Sequence, residues 1–210
     1  MNLSSHSAAT AFAAIDSPPV PHTSGAALAG HDTSADAPFL ALELPRLTVV
    51  ARLMREGDAP LLEWHGGPDL RRFYETQWVA QSEGRVTAVI ADLNSFPIGQ
   101  SAIHWHGKPT HPHLPDIQSL RVFAAFRGLG IGTLLLQASE NIVRERGFAQ
   151  VSLSVSLANP KAQRLYERLG YVVTGEPYND IWHYEDARGE TVRKEEMVVD
   201  LVKTLAAAPQ

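Results

Sequence analysis

Hydrophobic positions in this chain switch several times between a period of two and a helical period from about residue 44 onward. Ile117-Gln118-Ser119-Leu120-Arg121-Val122-Phe123 alternates and carries β-branched and aromatic residues, which predicts a strand. Ile131, Leu134, Leu135, Ala138, Ile142 and Val143 then recur at helical spacing until Gly147 stops the helix. The stretch 150–157, with Val151, Leu153, Val155 and Leu157 separated by serines, alternates throughout as a strand with one buried apolar row should. Asn159 falls where an N-cap belongs and Pro160 at the first helical position, and the stripe Ala162, Leu165, Tyr166 and Leu169 ends at Gly170. Elsewhere the pattern predicts a strand at 47–53 and short helices at 57–64 and 69–81, separated by Gly66-Gly67-Pro68. It also predicts a hairpin of 85–93 and 98–105 across Asn94-Ser95-Phe96-Pro97, and a final strand pair at 181–184 and 197–202 flanking Ala187-Arg188-Gly189. No internal repeat is visible.

Between the strand at 117–123 and the helix at 131 lies Arg127-Gly128-Leu129-Gly130-Ile131-Gly132-Thr133. A glycine-rich turn opening a helix presents unpaired N–H groups and the positive end of the helix dipole, so it suits a pyrophosphate. Glycine is needed because a Cβ would block both the turn angles and the approach of phosphate. A Rossmann site wants G-x-G-x-x-G and a carboxylate ending the next strand, whereas this turn reads G-x-G-x-G and 150–157 has no carboxylate. A P-loop wants a lysine before its Ser/Thr, and Gly132-Thr133 lacks it. A connector with no ligand is the remaining reading of the turn taken alone.

Arg127-x-x-Gly130-x-Gly132, followed by the strand and by Asn159-x-x-Ala162-x-x-Leu165-Tyr166-Glu167-x-Leu169-Gly170-Tyr171, resembles the GNAT superfamily of N-acetyltransferases. The motifs span residues 117–171, with a looser likeness in element order over 47–202. The resemblance implies an α/β fold with a mixed, mostly antiparallel central sheet flanked by helices, and acetyl-coenzyme A as acyl donor. It implies that backbone amides from about Gly128 to Thr133 hold the pyrophosphate, with Arg127, Gly128, Leu129, Gly130, Gly132 and Thr133 as the cofactor-binding residues of the turn, and that Leu120 and Val122 lie along the pantetheine arm. The Val122 amide would then be an oxyanion donor to the thioester carbonyl. Asn159 would be a helix cap or a pantetheine contact, and Tyr166 a general acid for the thiolate or a core residue. Ala124 and Ala125 depart from the proline and acidic residue often found after the family's central strand, which touches no cofactor contact.

Length and composition suit one such domain: 210 residues, 44% apolar, net charge −5. That charge does not suggest nucleic-acid binding. With no cysteine, disulfides, zinc thiolate sites and a cysteine nucleophile are excluded, so an acyl group must pass directly to the acceptor or through another residue type. No apolar stretch is long enough to span a membrane and the first residues lack a basic region and apolar core of a signal, so a cytoplasmic protein is expected. Residues 1–43 read as a flexible Ala/Ser/Pro-rich tail and 44–204 as the transferase domain; an amphipathic transit peptide is disfavoured because the first 38 residues hold no arginine.

The acceptor expected from the resemblance is a primary amine of a small molecule or protein. An amine with pKa ~10.4 must lose a proton before attack, worth roughly 4 to 5 kcal/mol at pH 7. Candidate bases are Asp116, at the mouth of the central strand, and His104 or His106, with ordered water as the alternative. His104, His106, His111 and His113 around Gly107-Lys108-Pro109 read as a solvated loop rather than a metal site. Glu185, Asp186, Glu190, Glu195 and Glu196 make the last hairpin acidic, a solvated surface or an attractor of cationic amines. Two other functions remain open at this point: a non-catalytic acyl-coenzyme A sensor with the same fold and, more remotely, a Rossmann-type nucleotide binder. A homodimer is open as well.

Overall fold

The computed structural model describes residues 48–64 and 67–206, so the stretch read as a flexible tail lies outside the described residues. The elements, in chain order, are β1 (Val49–Leu53), α1 (Asp58–Leu61), α2 (Arg71–Ser82), β2 (Val86–Leu93), β3 (Phe96–His104), β4 (Asp116–Val122), α3 (Ile131–Glu145), β5 (Gln150–Ser156), α4 (Pro160–Arg168), β6 (Val172–Glu185) and β7 (Thr191–Thr204). Seven strands form one sheet in the order β1-β2-β3-β4-β5-β7-β6, and all pairs but β4–β5 are antiparallel. The fold is thus the mixed, mostly antiparallel sheet flanked by helices that the resemblance implied.

Strands and helices fall where periodicity places them, with three instructive differences. The hairpin between β2 and β3 turns on two residues, Asn94 and Ser95, both with positive φ (51° and 68°), while Phe96 and Pro97 already belong to β3. Such a two-residue turn matches the twist of the flanking strands, and Asp92 Oδ1 accepts from the Ser95 N–H to hold it. The helix expected at 57–64 is one α-turn that tightens into a 3-10 turn over Leu62–Trp64. The last hairpin is much longer than expected, 14 residues in each strand. Its outer residues are exposed and charged, and a register shift between Thr174 and Tyr178 breaks the alternation that would have revealed it.

The two faces of the central sheet differ in chemistry. Towards α3 and α4, Ile103, Ile117, Val151, Leu153, Val155, Val199 and Leu201 pack with Leu136, Val143 and Tyr166 into the main apolar core. At Gly99 of β3 an added Cβ would lie 2.9 Å from the Arg121 carbonyl and 3.2 Å from Leu135, so glycine lets α3 approach closely. The α2 side holds an apolar cluster of Met54, Leu62, Leu70, Tyr74, Ala88 and Ile90 over β1 and β2. Over β4, β5 and β7, that face is polar yet buried: Asp116, Gln118, Ser152, Ser154, Ser156 and Asp200 are each less than a tenth exposed.

Candidate active site

The parallel pair β4–β5 is joined only at Asp116↔Ser152 and Ile117↔Leu153, and beyond that vertex the strands splay apart. A narrow cleft of about 60 Å³ opens in the splay, lined by Gln118, Leu120, Arg121, Ser154, Asn159 and Tyr166 among others. A bulge keeps β4 from closing it: Ser119 has φ 54°, and pairing with β3 slips between Gln100 and Ala102. The Phe123 N–H donates to the Ile98 carbonyl at 2.8 Å, so by strand alternation the Val122 amide faces the other edge, towards the gap. Of the residues expected at the cofactor, Leu120 and Asn159 line the cleft together with Tyr166.

Asn159 also caps α4, its Oδ1 accepting from the Ala162 N–H at 3.1 Å. Tyr166 is 8% exposed and packs edge-on to Tyr171 at 6.0 Å. Burial pushes its phenol up to about 12. It therefore stays protonated at any working pH.

At the open end of the splay, Arg127, Gly128, Leu129, Gly130, Gly132 and Thr133 form the turn into α3. Gly128 and Gly130 have φ of 82° and 85°, and Gly130 stands at the helix N-cap with no side chain capping the helix. An added Cβ at either would meet nothing within 4 Å. Glycine is required here by backbone angle, and the space above stays open for a ligand. The Arg127 Nε donates to the Val122 carbonyl at 3.0 Å, tying turn to strand.

Asp116 lies elsewhere than at a mouth. It is fully buried at the vertex, on the α2 face, accepting from Ser152 Oγ at 2.7 Å and Gln118 Nε2 at 2.9 Å. Lys108 Nζ reaches it at 3.0 Å and also contacts Asp200 at 2.8 Å and Ser154 Oγ at 2.5 Å. Thr110, Tyr178 and Ser154 donate to Asp200 as well, and His111 Nδ1 sits 3.2 Å from it. Burial alone would raise Asp200, but Lys108 and the hydrogen bonds from Thr110 and Ser154 outweigh it and hold the carboxyl below its usual range. The segment 105–115, expected to be solvated, is therefore an anchored strap. Gly107 makes the strap possible: its φ is 65°, and a Cβ would lie 2.4 Å from the His111 carbonyl.

Across the α2 side of the sheet runs a groove of about 1100 Å³ walled by α2, the strap and the outer end of the β6–β7 hairpin. Arg72 of α2 grips Glu185 of the hairpin at 2.8 Å, and Asp186 accepts from the Arg188 and Glu190 N–H groups to form the hairpin turn. Part of the acidic hairpin is thus engaged in holding the groove's wall. Gln77, 4% exposed, and His104 line the groove, and among the described residues neither amide atom of Gln77 nor the His104 Nε2 has a hydrogen-bond partner. Burial pushes His104 down to about 4 against the pull of Asp116, so it is a neutral imidazole at pH 7. His106 is exposed.

Sequence reasoning missed Lys108, Ser152, Ser154, Asp200 and Gln77. Two signals were present: serine at every second position of β5, and one carboxylate, Asp200, inside the apolar run 198–202.

A profile described as "Acetyltransferase (GNAT) family" matches residues 46–171. Mycothiol acetyltransferase of Streptosporangium roseum is 41% identical over 73 residues, covering 32% of this chain and 22% of that protein. The chain spans between about a fifth and under half of the length of the first curated relatives it matches. Among solved structures, the N-acetyltransferase from Staphylococcus aureus Mu50 superposes with TM-score 0.59 at 12% identity, over 75% of this chain and 98% of that one. The Salmonella typhimurium protein yncA, solved with its cofactor acetyl-CoA, gives TM-score 0.55 at 16% identity, over 77% and 98%. These two likenesses are of fold.

Proposed function

Because this chain belongs to the acetyltransferase (GNAT) family, we propose that it moves an acetyl group from acetyl-coenzyme A to a primary amine by direct attack. The observation that carries this reading is the β4–β5 splay, which runs from a glycine-bearing, uncapped helix start to a buried polar face. Acetyl-coenzyme A, as donor substrate, supplies the activated acyl carbon. The amides at 128–133 would hold its pyrophosphate at the start of α3, and Leu120, Asn159 and Val122 would lie along its arm. The Val122 amide would meet the carbonyl oxygen as charge develops there. Tyr166 would donate a hydrogen bond to the departing sulfur. Full proton transfer from a phenol at about 12 to a thiolate near ~8.5 is uphill by roughly 5 kcal/mol, so solvent finishes that step. Asp116, saturated by Lys108, Ser152 and Gln118, would hold the vertex rather than take a proton.

A sensor of acyl-coenzyme A would need the splay and the turn but not the groove on the other face. The Gln77 amide and the His104 Nε2, buried beside that groove without partners among the described residues, favour a second substrate. The test is free-thiol release from acetyl-coenzyme A with a panel of amines, alongside thermal shifts. Acetyl-coenzyme A is expected to raise Tm where NAD does not, and at least one amine to release thiol above hydrolysis. A Tm shift with no amine-dependent release would leave the sensor.

A further inference from the structure

The groove on the α2 side adjoins the cleft through the pairing of β3 with β4. Ser101 of β3 bonds Ser139 of α3 on one face, while Ala102 packs against Ala80 of α2 on the other. By alternation Gln100, Ala102 and His104 form the row facing α2, and their partners across the ladder are Arg121, Gln118 and Asp116. Arg121 and Gln118 line the cleft, and His104 lines the groove. Opposed residues on one face stand about 4.5–5.5 Å apart, so the two spaces share this wall. Lys108 makes a second link, lining the groove with its Nζ 2.5 Å from Ser154 Oγ in the cleft.

Helix α2 sets one more polar group on that row. Its buried stripe is Tyr74, Gln77 and Ala80, one turn apart. Tyr74 clusters with Ala88 and Ile90 of β2, and Ala80 with Val86 and Ala102. Ile90 pairs with Gln100 and Val86 with His104, so the stripe runs along the row from Gln100 towards His104 with Gln77 between them. Gln77 is 4% exposed and Gln100 fully buried, and among the described residues neither carboxamide has a partner for its oxygen or its nitrogen. The His104 Nε2 is in the same position. Buried polar groups are nearly always satisfied, so this wall points to a bound group that offers both a donor and an acceptor.

The charges of the groove are already neutralised. Arg72 pairs with Glu185, Arg85 with Glu83, and Lys108 with Asp116 and Asp200. Burial brings His104 down to about 4, so it adds no charge at pH 7. Glu75, the other carboxylate of the lining, is exposed, where one charge is worth little. Phe73, Val79, Pro109, Pro112 and Tyr184 supply apolar wall. A carboxylate brought here would meet committed cations, whereas a neutral amide would meet the atoms of Gln77 and His104 that need it.

We propose that Gln77 and His104 select the acceptor by a neutral amide group next to its amine, an assignment that rests on the acetyl-transfer reading above and names its substrate class. The Gln77 carboxamide turns to the bound amide, accepting from its N–H and donating to its carbonyl, and the His104 Nε2 bonds the same group. An apolar side chain beside the amide packs on Phe73, Val79 and Tyr184. The groove of about 1100 Å³ lies at the top of the ~300–1,000 Å³ range of ligand sites, so it has room for the first residues of a peptide as well as for a small carboxamide.

The experiment measures binding to the full chain by calorimetry in the presence of coenzyme A, which has no acyl group to transfer, so no turnover is needed. The probes are L-phenylalanine methylamide and L-phenylalanine methyl ester, which differ at the N–H and have amines of similar acidity. Wild type is expected to bind the methylamide about tenfold tighter than the ester. Gln77→Leu keeps the volume and removes the amide, and it is expected to bind the two alike, with its Tm unchanged or raised because an unpartnered polar group is gone. Gln77→Met carries the same comparison should the leucine variant fail to fold. Equal affinities in wild type overturn the proposal, and so does a preference that survives in the variant. A third probe, L-phenylalanyl-L-alanyl-L-alaninamide, separates the two sources of the amide: a further gain over the methylamide assigns the groove to a peptide, and no gain to a small carboxamide. Should wild type acetylate no amine at all, the acetyl-transfer reading fails, while the preference between methylamide and ester still decides what Gln77 and His104 recognise.

Discussion

Lys108 shows how far a single residue can depart from what its type suggests. A lysine between glycine and proline in a histidine-rich stretch reads as solvated, yet its ammonium is buried between Asp116 and Asp200. Lys108→Met keeps the stem but leaves two buried carboxylates without their cation. It should cost ~3–5 kcal/mol, a fall in Tm of roughly 10 °C. Calorimetry of the variant checks this, and an unchanged Tm would mean that solvent reaches the cluster. The same cluster sets opposite pH dependences. Asp200, held low, contributes stability that is present above the unfolded carboxylate range near ~3.9 and is lost as pH falls through its lower folded value. Asp180 on β6, held high by burial, costs stability above that range, fully so once pH exceeds its folded value. Asp180→Asn should therefore raise Tm at pH 8 and leave it unchanged near pH 4, and a variant less stable at pH 8 would contradict the raised state of the carboxyl. Tyr166→Phe should lower kcat by about tenfold with the cofactor's KM unchanged, since its phenol can offer a hydrogen bond but scarcely a proton. A wild-type kcat would make Tyr166 core alone.

At the level of elements, periodicity located β4, α3, β5 and α4 to within a residue or two because each carries local punctuation: Gly130 before α3, Asn159-Pro160 before α4, Gly147 and Gly170 after them. The glycine turn into α3, proposed to hold the pyrophosphate, was legible for the same reason. What was not legible has a common cause. The strap and the polar face depend on which side chains a folded sheet brings opposite one another, and a buried polar row has the same period of two as a solvated one. The serines of β5 alternate as they would on a wet surface, although all three are buried. The turn itself offers a test separable from folding. Gly130 has φ 85° with open space around its Cβ position, so Gly130→Val is limited by backbone strain of about 1–3 kcal/mol rather than by a clash. The variant should fold with a modestly lowered Tm and lose the Tm shift with acetyl-coenzyme A. A full shift in Gly130→Val would remove the turn from the donor site.

Across the whole molecule, the sheet behaves as two parts hinged at one point. Strands β1 to β4 form one continuous antiparallel ladder and β5 to β7 another, and between them stand only the pairs Asp116↔Ser152 and Ile117↔Leu153, braced on the α2 face by Lys108. On the opposite face α3 and α4 bury a common apolar core across both parts, so the halves cannot separate without exposing Leu136, Val143, Leu153 and Tyr166. The facing edges of the splay can nevertheless open locally, because beyond the vertex β4 and β5 make no ladder with each other. An arm lying in the splay and pairing with β4 would supply the missing ladder. Amide hydrogen exchange should therefore be fast at the gap-facing amides of 118–122, Val122 among them, in the free protein and slow in the presence of acetyl-coenzyme A, while α3 and the β5–β7 ladder stay protected throughout. An amine acceptor alone should not slow these amides, since the groove proposed to admit it lies on the far side. Lys108→Met should speed exchange at 116 and 152 as the brace is lost, and the donor should still slow 118–122 in that variant. Equal exchange at 118–122 with and without acetyl-coenzyme A would place the donor outside the splay.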